Sequence, residues 1–472
     1  MKYNLLYAGK RPCHFYFAYA VSKGNPKKTK FGIGGPIILD SENEIATFIY
    51  IFKDRNIPLD LIRRYTENKK LIYGLKEFCF DNRKGFEKNL KIKDIKNISD
   101  KEILMIYGRY INLLADNFST IRALRTIDKG GVELLMEMIG KKIDNADDVI
   151  TILTAPEEYT LVMEEELETI RRALKINERK DKKAVRKAAE QLLKKYAFCT
   201  MGFHDEPARD INHYEESIRK LLENRKGAEK RLKEIEEGKS RNTAERKKLE
   251  KGLDGNINHL AKVLRICAFL KDYNKMSQNL GSYLFEPIFT EMARRSGKSA
   301  KEVKNLLYPE AKKLLEEGKF DIDLIKKRSK KYFVLCDEKS IKEYYGNDAE
   351  AMEREYLGKT EKTGQNEFRG RPASKGFGKG IARIIRSMEE LKYFREGEIL
   401  IANNTTPDFV PAMKKASAII TEEGGVTCHA AVVSRELGVP CVLGIENATE
   451  IFKDGDIIEV DANKGIVRKI KK

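Results

Sequence analysis

Hydrophobic positions change their spacing along this chain, and the change divides it. From Pro58 onward apolar residues recur mostly at three- and four-residue intervals, the period of an amphipathic helix. Segment 101–125 (KEILMIYGRYINLLADNFSTIRALR) predicts one such helix, with Ser99 or Asp100 as its cap, and 157–174 predicts another after Pro156. Segment 214–273 reads as a long helical hairpin, turning near Gly238-Lys239-Ser240 or near 252–255. Two shorter runs precede the helices. FGIGGPIIL and IATFIYIFK flank a polar turn at 40–44 and predict a β-hairpin over 31–53, because apolar β-branched and aromatic runs bounded by turn residues favour strands.

The pattern breaks at about 355–367. There the chain is polar and carries Gly358 and Gly364, and it reads as a flexible tether. Beyond it, short apolar runs at 399–401, 418–420, 439–443 and 457–460 alternate with turn signals and short helical stretches. The Thr406-Pro407-Asp408 triplet reads as a helix start with Pro at the first position. These features predict a multidomain chain: a mostly α-helical region over 1–354 with a small β-hairpin, the tether 355–367, and a compact α/β domain over 368–472.

Inside that last domain, 421–444 (TEEGGVTCHAAVVSRELGVPCVLG) places His429 directly after a glycine-rich turn. Thr427 is suited to cap a helix that runs to Leu437, where Gly438 and Pro440 stop it. Glycines allow close backbone approach to a ligand, and the orphan N–H groups of a helix start favour an anion. A neutral imidazole there is a nucleophile toward phosphorus. The other reading is a buried, hydrogen-bonded core histidine. The GIGG at 32–35 lacks the Lys-Ser/Thr of a phosphate loop and the GxGxxG spacing of a dinucleotide turn, so a turn or strand edge explains it better. His204, Asp205 and Glu206 form a polar cluster that a surface loop explains as well as a site does.

Charge raises another class of function and its distribution argues against it. The net charge is +18, which invites nucleic acid as a partner. Residues 368–472 hold 17 Lys/Arg and 14 Asp/Glu, a net of only +3. The remaining excess is mixed with acids along helical segments such as 221–253, the pattern of solvated helix faces with i,i+4 pairs. Nucleic-acid binding is therefore not the expected main function. No apolar run is long enough to span a bilayer, and Lys10, Arg11 and His14 interrupt the N-terminal stretch where a signal peptide would need an apolar core. The seven cysteines form no CxxC or Cys/His cluster, so neither a zinc site nor a disulfide framework is expected, and no metal ligands are assigned. A cytoplasmic protein with reduced thiols is the expectation.

The run Gly424, Gly425, Val426, Thr427, Cys428, His429, Ala430, Ala431, completed by Arg435, resembles the core motif of the swivelling phosphohistidine domain in phosphoenolpyruvate-utilising enzymes. That group includes pyruvate phosphate dikinase, phosphoenolpyruvate synthase and rifampin phosphotransferase. The resemblance extends to 370–385, 396–421 and 455–470, and so covers the α/β domain. Segments 152–173, 190–203 and 261–280 more weakly resemble the helical linker or acceptor domain of rifampin phosphotransferase and related synthase-like proteins; no functional residue is carried over from them. The resemblance implies that His429 is the catalytic phosphoryl carrier and that Thr427 helps hold the phosphate. It also implies that Gly424, Gly425, Cys428 and Arg435 support the site, with position 428 needing only a small side chain.

The same resemblance implies an ATP-grasp domain and an acceptor. Residues 1–360 read as mostly helix, and no barrel segment follows the histidine domain. The expectation is a partial phosphotransferase. ATP and magnesium would be bound by an ATP-grasp partner protein and not by this chain, and the acceptor would be pyruvate or a hydroxyl compound. The competing readings are a non-catalytic regulatory or binding protein that keeps the fold, a complete kinase with an unrecognised ATP site, and a basic nucleic-acid-binding protein.

Overall fold

A computed structural model of the chain describes residues 4–12, 20, 37–42, 45–52, 57–92, 94–139, 146–176, 181–201, 207–336, 340–357, 367–386, 388–405, 409–422, 428–445 and 448–470. The chain divides into two compact units, Met1–Tyr356 and Leu357–Lys472. Of the expected tether, 358–366 lie outside the described residues, and 355–357 belong to the helix Asn347–Leu357.

The first unit is mostly helical and is organised by two long helices, Asp100–Ile139 and Gly255–Ser296. Ser99 starts the first as expected: the Glu102 N–H donates to Ser99 Oγ, and the Glu102 carboxylate accepts from Ser99 N–H, a capping box that satisfies two orphan donors. The two helices meet through an aromatic cluster in which Phe285 stacks on Tyr107 and Tyr110, with centroids 5.4 and 4.2 Å apart. Gly281 lies under the Phe86 ring, where an added Cβ would sit 2.7 Å from a ring carbon. Midway along, polar side chains are buried and paired. Gln278 donates to Asn117 at 2.6 Å, Asn117 to Asn82 at 3.3 Å, and Asn274 to Thr120 at 2.8 Å.

Two expectations for this unit change. The segment 214–273 is not a two-helix hairpin but parts of three helices: Ile211–Glu223, Arg225–Lys251 and Gly255–Ser296. Asn224 breaks the chain early, because its side chain caps the next helix by accepting from Gly227 N–H at 3.0 Å. The later turn does fall at 252–254, while Gly238 lies inside a helix. Arg225–Lys251 packs against Leu161–Leu174 and Ala146–Thr154. Arg231 and Glu236 pair there with Glu166 and Arg171. Its buried residues are only Ala228, Ile235 and Arg246, too thin a stripe to lie along a long neighbour.

The second change concerns the expected hairpin. β2 (Ile37–Glu42) and β3 (Ile45–Phe52) do pair antiparallel; residues 31–36, 43–44 and 53 lie outside the described residues. They sit inside a five-stranded antiparallel sheet of order β1-β3-β2-β4-β5, with β1 Asn4–Pro12, β4 Lys331–Cys336 and β5 Ile341–Tyr345. An isolated two-stranded hairpin is marginal in water. Pairing with β1 and with β4, nearly three hundred residues away, covers both edges of the hairpin.

The second unit is α/β. Its strands are β6 (Glu367–Arg369), β7 (Arg371–Ser374), β8 (Phe377–Ile385), β9 (Ile399–Ala402), β10 (Ala418–Thr421), β11 (Cys441–Leu443), β12 (Ile457–Asp461) and β13 (Ile466–Ile470). The order is β6-β13-β12-β8-β9-β10-β11-β7. The four strands β8 to β11 are parallel, and the flanking pairs are antiparallel. The two outermost strands, β6 and β7, are separated in sequence by Gly370 alone, so the sheet must curl until its edges meet there. Gly370 N–H donates to the Gly465 carbonyl at 2.8 Å, and an added Cβ would lie 2.4 Å from the Leu443 carbonyl oxygen.

The central strands are apolar without a break because both of their faces are buried. Ile399, Ile401, Ala418, Ile420 and Val442 face one core with Ile458 and Val460. Leu400, Ala402, Ile419, Cys441 and Leu443 face a second core with Met413, Ala430 and Ala431. The helices over that second core are α1 (Val410–Met413) and α2 (His429–Leu437), and α3 (Ala448–Ile451) follows β11. The expected helix start at 406–408 lies outside the described residues.

Candidate phosphohistidine site

His429 is the first residue of α2 and is half-buried. Ala430 and Ala431 fix it there, because they are buried in the core beneath the helix and leave the imidazole at the rim. The cap falls one residue later than expected. Cys428, in extended conformation, caps α2, and its Sγ accepts from Ala431 N–H at 3.4 Å. Thr427, Gly424 and Gly425 lie outside the described residues. At the far end Gly438 adopts a left-handed φ of +67°, and Val439 N–H reaches back to the Ser434 carbonyl at 3.0 Å, so the helix ends where the Gly-x-Pro sequence stops it.

Arg435 lies in the last turn of α2, about 9 Å of helix rise from His429 at 1.5 Å per residue. Its Nε donates to the Ala373 carbonyl on β7 at 2.7 Å, tying the helix to the edge of the sheet. The second polar tie is shorter in reach: Ser374 Oγ donates to the Ser434 carbonyl at 3.3 Å. Among the described residues no three His, Cys, Asp or Glu side chains converge as metal ligands. Cys441, beneath the helix, is pushed up to about 12 by burial, with an opposing hydrogen bond from Ser434; it is a core residue.

The imidazole meets a residue that the sequence did not single out. His429 Nδ1 and Thr405 Oγ1 are 2.8 Å apart. Thr405 is 8% exposed and lies just past the end of β9, while His429 follows β10. Adjacent parallel strands therefore bring the pair together at their carboxyl ends, where open α/β sheets carry their ligands. The contact allows two tautomers. With the proton on Nδ1, Thr405 accepts it and the lone pair is on Nε2. With the proton on Nε2, Thr405 donates to Nδ1. Only the first arrangement makes Nε2 a nucleophile.

A buried carboxyl joins the same edge. Glu422, 4% exposed, directly follows β10 and accepts from Asn403 Nδ2 at 3.1 Å, from Thr449 N–H at 2.7 Å and from the Thr449 hydroxyl. Asn403, Thr405, Glu422 and Thr449 were missed in the sequence. The readable signal was position: each polar residue stands immediately after an apolar strand or at the start of a short helix.

The family model for the PEP-utilising enzyme, mobile domain, matches residues 394–465. The second unit is a PEP-utilising mobile domain. The matched stretch contains Thr405, Glu422 and His429 and lies wholly within that unit. A probable phosphoenolpyruvate synthase of Methanothermobacter thermautotrophicus is 57% identical over 95 residues, which is 20% of this chain and 14% of that protein. Phosphoenolpyruvate synthase of Pyrococcus furiosus is 50% identical over 97 residues, 21% of this chain and 12% of that protein. The chain thus matches about one-seventh of the length of these relatives, through a stretch the size of the mobile domain. Among solved structures, a chain of aconitase X from Thermococcus kodakaraensis (holo-form) aligns over 23% of this chain and all of its own length, at 19% identity and a TM-score of 0.19. Among the described residues no helix is long and apolar enough to cross a membrane.

Proposed function

We propose that this protein is a phosphotransferase component in which His429 carries a phosphoryl group from an ATP-grasp partner to an acceptor. The observation that carries the reading is the His429 Nδ1–Thr405 Oγ1 contact at the start of a helix, within a mobile domain shared with phosphoenolpyruvate synthases. Thr405 holds the Nδ1 proton, so Nε2 has the lone pair. The positive end of the α2 dipole favours the phosphoryl anion at this position.

Two half-reactions follow. First, Nε2 attacks the phosphorus of ATP or of an ATP-derived donor held by the partner. The N–P bond forms and the P–O bond to the leaving phosphate breaks, with its electron pair going to the leaving oxygen. By the motif resemblance, Gly424, Gly425 and Thr427, which lie outside the described residues, help the first N–H groups of the helix hold the phosphoramidate oxygens, and Arg435 supports that helix. Second, an acceptor oxygen attacks phosphorus, the P–N bond breaks with its electron pair returning to Nε2, and the acceptor's hydroxyl proton passes to water, which regenerates the neutral imidazole. Positioning and charge stabilisation account for most of the acceleration in phosphoryl transfer. Magnesium and the nucleotide are the partner's to bind. The acceptor is pyruvate or a hydroxyl compound, and the cytoplasm, where ATP is made available, is the proposed location.

Incubation of the purified protein with γ- and β-labelled ATP, alone and with an ATP-grasp partner, tests this. Label that appears only with the partner and is acid-labile and base-stable supports the carrier. Label without the partner identifies a complete kinase. No label under either condition leaves a non-catalytic regulatory or binding protein that retains the fold.

A further inference from the structure

We infer that Glu422 is a positioning residue that holds the Thr405–His429 contact in place by tying the chain just past β9 to the end of β10 and the start of α3. The inference deepens the carrier reading and rests on it for its catalytic meaning. Glu422 begins the connection from β10 to His429. Its own N–H donates to the Ala402 carbonyl at the end of β9. One carboxyl oxygen accepts from Asn403 at 3.1 Å, and the other accepts from both the N–H and the hydroxyl of Thr449, at the start of α3. A single side chain thus joins the loops that follow β9, β10 and β11.

The consequence reaches the imidazole through one short path. Asn403 stands two residues before Thr405, so holding Asn403 fixes the direction in which the chain carries the Thr405 hydroxyl. The 2.8 Å contact of Thr405 with Nδ1 needs the Thr405 hydroxyl held in place, because a hydrogen bond of this kind weakens steeply with distance and angle. A buried carboxyl that accepts three hydrogen bonds and touches no reacting atom has this positioning as its use. Burying such a group is costly unless its partners are supplied, and here the partners all come from loops of the site.

The polarity of the Asn403–Glu422 bond gives a direct test. Asn403→Asp keeps the shape but sets a carboxylate against that of Glu422, whereas Glu422→Gln alone is met by a flip of the Asn403 amide, whose oxygen then accepts. The double variant Asn403→Asp/Glu422→Gln reverses donor and acceptor and restores the bond. The chain has five histidines, so selective ¹⁵N-histidine labelling resolves the His429 ring nitrogens in the full-length protein. The second readout is phosphorylation by phosphoramidate, a small donor that needs no partner and releases ammonia as its N–P bond breaks.

In Asn403→Asp the ring ¹⁵N shifts of His429 should move and Nε2 phosphorylation should slow about tenfold, the scale expected when a reacting group is slightly misplaced. The double variant should return the shifts and recover the rate to within about threefold of wild type, as a coupled pair does. Unchanged His429 ring ¹⁵N shifts in Asn403→Asp would overturn the inference, and so would a double variant no better than the single. Wild-type protein that phosphoramidate leaves unmodified, with ring ¹⁵N shifts that still move in Asn403→Asp, would overturn the carrier reading and uphold the positioning role.

Discussion

Both units bury polar side chains, but they use them differently. In the helical unit the buried amides of Asn82, Asn117, Asn274 and Gln278 pair with one another, with Thr120 and with a backbone carbonyl along the interior of the two long helices. These hydrogen bonds are spent on packing, which specifies how the helices register against each other. In the mobile domain the two cores contain almost nothing but aliphatic residues. Among its buried polar groups, Thr405 and Glu422 stand just past strand ends, while Ser374 and Ser434 tie β7 to α2. The difference teaches where chemistry can be supported: a polar network inside a bundle fixes a shape, whereas one at the carboxyl edge of a parallel sheet fixes the direction of a ring nitrogen.

The sharpest break of that comparison is at the ring itself. His429→Ala should abolish phosphoryl labelling, while the domain stays folded because the side chain is half-buried and makes no part of either core. Labelling by ATP with the partner, checked against circular dichroism, decides it; label that survives would move the chemistry elsewhere and leave only a shared fold. Thr405→Val comes next. It removes one hydrogen bond and keeps the shape, so transfer should slow by about ten- to a hundredfold, the range seen when one positioned polar group is lost. If the rate holds, the tautomer is set by something other than Thr405. No comparable loss should follow Asn117→Leu in the helical unit, where the cost is in stability.

A packing change inside the mobile domain should cost less and show no effect on the ring. Gly370→Ala places a Cβ 2.4 Å from the Leu443 carbonyl oxygen and 2.7 Å from Val442 Cγ1. The backbone that joins the two sheet edges must then shift, at about 2–3 kcal/mol. Faster amide exchange in β6, β7 and β13, with the helical unit unaffected, is the expected reading.

How much of this was legible follows from the range of the contacts involved. The strands of the mobile domain were visible as apolar runs because both faces are buried, and α2 was visible because Gly438 and Pro440 stop it within the sequence itself. The five-stranded sheet was only half visible. KYFVLC at 331–336 pairs with 37–42, and nothing local to either segment says so. Similarly, His429 announced itself through its own neighbours, whereas Thr405 is 24 residues away and is brought to it by strand pairing alone. The break at Asn224 was readable in principle, since Asn is a strong cap, but the charge pattern on both sides runs on as if the helix were continuous.

A smaller effect belongs to the helical unit and is read by pH. Glu168 loses solvation on folding, which works against its charge, but hydrogen bonds from Lys195, Arg172 and Tyr196 outweigh this and hold it at about 2, against an ordinary 4.5. A carboxylate lowered on folding adds stability that is complete above its unfolded value and is lost as pH falls through the folded one. The unit should therefore lose stability between about pH 4.5 and 2. Glu168→Gln should flatten that part of the profile and cost roughly 1 kcal/mol at pH 7, once screening of this partly exposed cluster is allowed for. Denaturation midpoints across the range would show it; a variant with the wild-type slope would mean that other carboxylates govern the acid limb.

The smallest effect is expected beside the histidine. Cys428 offers two roles, a reactive thiol and a helix cap, and the structure gives its sulfur the second: Sγ accepts from Ala431 N–H at 3.4 Å. A hydroxyl is the better acceptor in that position, and serine is among the preferred caps. Cys428→Ser should thus leave labelling unchanged and raise the stability of the domain by a few tenths of a kcal/mol, roughly the difference between a weak and a good cap. Cys428→Ala, which removes the cap altogether, should cost about 1 kcal/mol and also leave labelling in place, since Nε2 of His429 needs the helix start and Thr405 but no thiol. If Cys428→Ser abolished the label while the fold persisted, the sulfur would be the acceptor, and the acid lability of the adduct would separate a phosphocysteine from a phosphohistidine in the same sample.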